Sequence, residues 1–244
     1  MSLETNFTVY KAIIFDMDGV IIDSKELVES FWVEKLEKYG LHVPKKSFDE
    51  RFHGRPARLI IEKEFSGLDK QEQSAMEKEI KEFDASVKNF DLIPGIEDFM
   101  RQCIEYNIPI ALVTSALPPK VDRMLASLSI DPPFETVVTA NLVSNGKPSP
   151  ECYRLAIQNL NMTPSEAIIF EDSLSGVQAA SGAGANVIGV NEPYMEEPLK
   201  KAGSSLVIKD FIRTELSDHR DECIYLFPNV NRRTLGLNLS LRSY

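Results

Sequence analysis

Cysteine is scarce in this 244-residue chain: Cys103, Cys152 and Cys223 stand at unrelated spacings, and none belongs to a CxxC pair. That excludes a disulfide framework and a cysteine zinc site, and it predicts reduced thiols in a cytoplasmic protein. Long apolar runs are missing too, since no stretch approaches the roughly 20 residues of a membrane span. The opening MSLETNFTVYKAIIFD lacks the basic and apolar regions of a signal peptide. Positive charge is short as well: 27 Lys and Arg against 37 Asp and Glu leave a net charge of -10. Nothing would offset repulsion from nucleic acid or an anionic membrane, so neither partner is expected. A small phosphorylated molecule needs only local positive charge and stays open. Phosphate-cradling GxxxxGKS or GxxxxGKT loops, HExxH and GxSxG are all absent. GAGANVIG has Val187 where a dinucleotide loop needs its third glycine, and it precedes a strand instead of following one.

What the chain does contain is a series of short, continuously apolar, β-branched runs. They are AIIFD (12–16), IPIALVT (108–114), TVVT (136–139), AIIFED (167–172), NVIGVN (186–191) and SLVIKD (205–210). Continuous apolarity, as opposed to alternation, suits strands buried on both faces of a parallel sheet. Helical patterns lie between them: IEDFMRQCIEYN, PKVDRMLASLSI, ECYRLAIQNLN and LSGVQAASGAG. This alternation predicts an α/β protein with a Rossmann-like, doubly wound parallel sheet.

Residues 25–92 break the rhythm. Leu27, Phe31, Trp32, Leu36 and Tyr39 share one helical face, and Met76, Ile80, Phe83, Val87 and Phe90 repeat at 4-3-4-3 spacing. An all-helical insert is therefore expected over 25–92, between core segments 1–24 and 93–215. Beyond 215, TLGLNLSLRSY alternates Leu235, Leu237, Leu239 and Leu241 with small or polar residues. That predicts a C-terminal extension, 216–244, forming an added edge strand or a flexible tail. A monomer or small homo-oligomer is expected.

Ligands of open α/β sheets bind beyond the carboxyl ends of the strands, where strand order reverses. Those ends carry chemistry here. The first strand ends at Asp16, with Asp18 two residues on; the second ends at Thr114-Ser115; AIIFED ends at Glu171-Asp172; and the loop after TVVT leads to Lys147 in GKPSPE. In an extended segment Asp16 and Asp18 point the same way, their Cα atoms roughly 6.5 Å apart. One carboxylate can then meet an electrophile while the other reaches its leaving group. For a phosphate electrophile, each contact near 4 Å costs on the order of 4 kcal/mol at an effective dielectric of 20. The site therefore needs cations: Lys147 is one and a hard divalent metal, Mg2+, the natural other. Asp16 and Asp172 supply two ligands, a backbone carbonyl near Asp18 a third, and Glu171 either ligates or orients a metal-bound water.

FDMDGVIIDS, VTSA, GKPSPE and IIFEDSLSGV, in this order, resemble the four motifs of the haloacid dehalogenase superfamily of hydrolases. The resemblance spans about residues 10 to 215 and is nearest the phosphatase and β-phosphoglucomutase-like branch, with a helical cap inserted after the first motif. It implies that Asp16 is the nucleophile, taking the phosphoryl group as an aspartyl-phosphate, and that Asp18 is the acid/base. Thr114 would hold a phosphoryl oxygen, with Ser115 beside it, Lys147 would neutralise nucleophile and phosphate, and Asp172 would complete the Mg2+ site. The mutases carry a Ser-Lys pair just past the second motif; here that place holds Ala116-Leu117. Simple hydrolysis of a small phosphorylated metabolite of the sugar- or polyol-phosphate type is therefore expected. A β-phosphoglucomutase-like mutase and a non-catalytic regulator that binds a phospho-metabolite are the alternatives. In the insert, RFHGRPAR (51–58) brings His53, Arg55 and Arg58 together as a cationic loop, with Arg55 and His53 the candidates for the substrate's leaving group. Lys120 reads as a solvated residue at a helix start.

Overall fold

The six apolar runs become six strands of one sheet, the inner four with a strand neighbour on both sides and those from TVVT and SLVIKD at its edges. The computed structural model describes residues 9–44, 47–219, 223–227 and 237–240. The chain begins with β1 (Val9–Tyr10) and β2 (Ala12–Phe15), then passes through α1 (Lys25–Lys38), α2 (Phe48–Arg51), α3 (Ala57–Glu64) and α4 (Lys70–Ser86). Strand and helix then alternate: α5 (Ile96–Glu105), β3 (Ile110–Val113), α6 (Pro118–Ser127), β4 (Phe134–Val138), α7 (Glu151–Asn159), β5 (Ala167–Glu171), α8 (Leu174–Gly182), β6 (Asn186–Val190), α9 (Glu196–Ala202) and β7 (Leu206–Ile208). The sheet order is β4-β3-β2-β5-β6-β7, all parallel. The chain moves outward from β2 through β3 to β4, then returns to lay β5 on the other side of β2. Strand order therefore reverses beside β2, as a doubly wound sheet requires.

The alternation of side chains along each strand builds two cores. Ile13 and Phe15 of β2 face α5 and α6, where Phe99, Met100, Val121 and Met124 meet them. Ile14 faces the other way, towards Tyr153, Ala156 and Val177 of α7 and α8. Phe15 stacks on Phe170 of β5 at 5.6 Å between ring centroids, and Phe99 and Phe211 close the cluster. Burying one such side chain contributes roughly 1.5–3 kcal/mol, so β2 has little freedom to slide.

Residues 25–86 hold four helices and a separate core of Phe31, Trp32, Phe48, Phe52, Ile60, Phe65 and Met76. α4 begins with a capping box between Asp69 and Glu72. The 4-3-4-3 stripe departs from expectation at its end. The helix stops at Ser86, Val87 is extended, and Phe90 packs into the main core beneath β2 instead. The chain leaves and re-enters the sheet layer side by side: Asp23 N–H donates to Asp91 O at 2.8 Å and Ile93 N–H to Ile21 O at 2.9 Å, with an antiparallel bridge between Ile22 and Leu92.

The C-terminal extension is more than one added strand. β8 (Glu215–His219), β9 (Cys223–Phe227) and β10 (Leu237–Ser240) join β1 in a second sheet of order β1-β10-β9-β8. β10 lies between two neighbours, which corrects the expected edge strand. Of the alternating leucines, Leu237 and Leu239 fall in β10; Leu235 and Leu241 lie outside the described residues. Leu216 of β8 is tied to α5 through its N–H to Gln102 Oε1. No helix among the described residues is long and apolar enough to cross a membrane.

Candidate active site

Everything converges on the carboxyl end of β2. Asp16 continues the ladder one residue past the strand, its N–H donating to Phe170 O at 3.0 Å. Three residues on, Gly19 takes φ +78°, a conformation open to glycine at little cost. The turn also needs its bare Cα, because a Cβ there would stand 2.2 Å from Asp172 Oδ2. β5 ends beside β2 and delivers Glu171 and Asp172.

Lys147 is the cation at the centre. It is 3% exposed, and its Nζ donates to Asp16 Oδ1 at 2.5 Å and Glu171 Oε1 at 2.7 Å. Tyr153 Oη donates to the same Glu171 oxygen at 3.0 Å, and its ring lies 5.0 Å under the ammonium. The other oxygen, Oε2, accepts from the Ser173 N–H and hydroxyl. Glu171 thus has four protein donors on its two oxygens, about as many as a carboxylate accepts. Ligating a metal and orienting a metal-bound water were the two readings left open for it; the bonds it makes give it a third role, holding Lys147.

Asp16, Glu171 and Asp172 each offer an oxygen within 4.8 Å of the others. Opposite ligands on Mg2+, with bonds of about 2.1 Å, lie about 4.2 Å apart, so the cluster is of the order of size such an ion spans, and carboxylate oxygens are the ligand type it takes. Three carboxylates share one ammonium, and the crowding shows in their protonation. Burial pushes the Asp16 carboxyl up to about 7, with Lys147 pulling against it. Burial, then Glu171 and Asp16, carry Asp172 well above its usual range. Burial alone would lower Lys147, but Asp16 and Glu171 hold it firmly charged. A divalent cation among these carboxylates would relieve the repulsion.

Asp18 turns away from that cluster. Its Oδ1 accepts from Lys120 Nζ at 2.7 Å and from the Ser24 hydroxyl. Burial would raise its carboxyl, yet Lys120 brings it below the ordinary value. Its side chain is thus directed away from the expected metal position, leaving its backbone as the candidate ligand. Lys120 corrects the solvated reading: its side chain is 11% exposed and also reaches Asp84 of α4 at 3.2 Å. Arg123 holds the same Asp84 at 3.0 Å.

Thr114 is buried at the end of β3, its Oγ1 accepting from the Ala116 N–H at 3.0 Å. Ser115 is exposed on the same loop. Both line a cavity of about 380 Å³ with Asp16, Asp18, Lys147 and Asp172. His53 and Arg55 reach this cavity from the helical insert. The expected three-cation loop does not form. His53 is buried against Glu29 at 3.2 Å, and burial followed by Lys25 lowers its pKa, so it is neutral at pH 7. Arg58 is exposed and paired with Glu62. The same insert touches the core where Ser175 Oγ donates to Gly54 O at 3.0 Å and where Tyr194 Oη donates to Asp49.

A doubly wound sheet with an acid–x–acid turn, a buried ammonium and a metal-sized carboxylate cluster at its switch point defines a hydrolase-type α/β protein. Residues 13–190 match the family model described as haloacid dehalogenase-like hydrolase. The chain belongs to that family, in the branch of phosphatases and β-phosphoglucomutases. It is similar to a phosphorylated carbohydrates phosphatase of Thermotoga maritima, 30% identical over 217 residues, covering 82% of this chain and 94% of that protein. Hexitol phosphatase A of Escherichia coli is 31% identical over 184 residues, covering 75% of this chain and 84% of its own. Among solved structures, CbbY from Rhodobacter sphaeroides in complex with phosphate matches with TM-score 0.69 at 25% identity, over 84% of this chain and 96% of that one.

Proposed function

We propose that this protein is a Mg2+-dependent phosphatase that hydrolyses a small phosphorylated metabolite through an aspartyl-phosphate on Asp16. The observation that carries this reading is the meeting of Asp16, Asp172 and Lys147 at the mouth of one cavity, with Asp18 two residues further on. Asp16 and Asp172 would hold the metal, aided by a backbone carbonyl near Asp18. When bound, Mg2+ supplies positive charge that draws phosphate to the carboxylates and keeps Asp16 ionised.

The remaining roles belong to the chain. Lys147 grips Asp16 Oδ1, which leaves the other oxygen to attack phosphorus, and its charge offsets that of the incoming phosphoryl group. Thr114 and the Ser115 loop bind phosphoryl oxygens. Asp18 gives a proton to the departing alkoxide and then takes one from the water that opens the aspartyl-phosphate. Lys120 keeps Asp18 anionic in the resting state, so the proton it gives is first taken up from solvent as Lys120 gives way, and the attacking water's proton replaces it. Residues 25–92 act as a helical cap, with Arg55 and His53 on its inner wall, and its closure excludes water during transfer.

The relatives named for carbohydrate and hexitol phosphates support a phosphate ester of a small alcohol as substrate. The sugar or polyol body expected from the sequence has the support of those names. A mutase must also grip a second phosphate. Ala116 and Leu117 line the cavity where that grip would be, and Lys120, the cation nearest to them along the chain, is bound by two carboxylates. Hydrolysis is therefore favoured. With Mg2+ and p-nitrophenyl phosphate, phosphate release is expected and is abolished by EDTA or by Asp16→Asn. Binding of phospho-metabolites without turnover would support the regulator instead. Glucose 6-phosphate forming from β-glucose 1-phosphate faster than free phosphate would support the mutase.

A further inference from the structure

The cavity has two chemically different ends. One is the acid- and lysine-bearing rim of the sheet. The other is built by α1, α3 and α4, from Leu27, Val28, Phe31, Ile60, Ile80 and Phe83. Four of these, Leu27, Val28, Ile80 and Phe83, are only half-buried. Their apolar surface lines the same space as Asp16, a costly arrangement unless something apolar covers it.

Most of the charged groups around that end are already occupied, the exposed Lys81 of α4 being the exception. His53 is bound to Glu29, Lys25 to Asp49 and Tyr194, Asp84 to Lys120 and Arg123. Arg55 also has an interaction of its own. A hexitol or hexose body in this position would lay a row of hydroxyls against carbon. Each hydroxyl buried without a partner weakens binding by about tenfold. An apolar body gains where the hydroxyls lose.

We infer that the leaving alcohol of this phosphatase carries an apolar body, alkyl or aryl, seated between α1, α3 and α4, and that the physiological substrate is a phosphate monoester of that class. The inference rests on the phosphatase reading above. Binding would place the ester oxygen near Asp18 and the carbon body against Val28 and Ile80. The bond cleaved is the ordinary O–P bond, water supplying the hydroxyl that ends on phosphate and the proton that ends on the alcohol.

The test compares unactivated primary-alcohol esters, so that leaving-group chemistry is matched. Hexyl phosphate and 2-phenylethyl phosphate are set against glucose 6-phosphate and a hexitol 6-phosphate, with Mg2+ present. The expected result is a kcat/KM at least tenfold higher for the two apolar esters. Any smaller preference overturns the inference and leaves the phosphatase reading intact. No turnover of these four or of p-nitrophenyl phosphate would overturn both. Ile80→Asn and, separately, Val28→Asn are expected to lower the ratio of hexyl to methyl phosphate turnover by about tenfold. An unchanged ratio in both folded variants would place the body elsewhere and refute the seat.

Discussion

Asp172→Asn separates a metal site from an accidental cluster, because the two readings predict opposite signs. Oxygens of Asp16, Glu171 and Asp172 lie within 4.8 Å of one another. At that distance and an effective dielectric of about 20, one pair of like charges costs about 3.5 kcal/mol. Asp172 faces two such partners, and Lys147 offsets only part of the sum. Without metal, Asp172 therefore strains the fold, and its amide should be more stable than the acid by about 1–3 kcal/mol. For a chain of this size that raises Tm by roughly 2–12 °C. With metal the order reverses. Mg2+ at a hundred times its Kd adds about 2.7 kcal/mol to the parent protein, a shift of roughly 5–11 °C. The variant should show almost none of it. Scanning calorimetry of both proteins in EDTA and in Mg2+ gives the four Tm values needed. The reasoning fails if Asp172→Asn melts lower than the parent in EDTA and yet keeps the full Mg2+ shift.

Three further perturbations test other parts of the structure. Gly176→Ala would set a Cβ 1.6 Å from Glu171 Oε1, displacing the carboxylate that holds Lys147; a loss of about 3–5 kcal/mol in urea denaturation is expected, with phosphatase activity near background. Lys120→Met should lower kcat by roughly tenfold to a hundredfold through misplacement of Asp18, as steady-state kinetics with p-nitrophenyl phosphate would show, while Lys120→Arg recovers part of it. Glu166 closes a capping box with Thr163 and pairs with Lys11, and the Lys11 contact, followed by the Thr163 backbone, brings its pKa down to about 2. A lowered folded-state pKa means stability present above the unfolded value near 4.5 and lost as pH falls towards 2. Glu166→Gln should therefore cost about 1 kcal/mol at pH 7, with the gap to the parent closing between pH 4.5 and 2 in urea titrations.

The parts of this fold legible in sequence were those dictated by local pattern. β2, β3, β5 and β6 are buried along nearly their whole length, so they read as unbroken apolar runs, and the acids that follow them fall at the rim without further information. Asp16, Asp18, Thr114 and Asp172 stand at or just past those strand ends and Lys147 on the loop after β4, and the structure brings all five to one cavity. What escaped depended on distant partners. Lys120 looks solvated until Asp84, on a different helix, is placed opposite it. Tyr153 carries no local mark of its bond to Glu171. α9 was hidden because Pro198 lies within its first turn, where a missing N–H costs little. β8 and β9 form through pairing with each other and with β10, a non-local interaction invisible to periodicity.

The paired exit and return at Ile21–Asp23 and Asp91–Ile93 has an evolutionary consequence. Because both crossings are stitched to each other, the strands of the parallel sheet need not register the length or composition of what lies outside the stitch. Under the proposed function, residues 24–90 would behave as a cassette: selection could rewrite which alcohol is accepted there, provided Ser24 and Asp84, which hold Asp18 and Lys120, are kept.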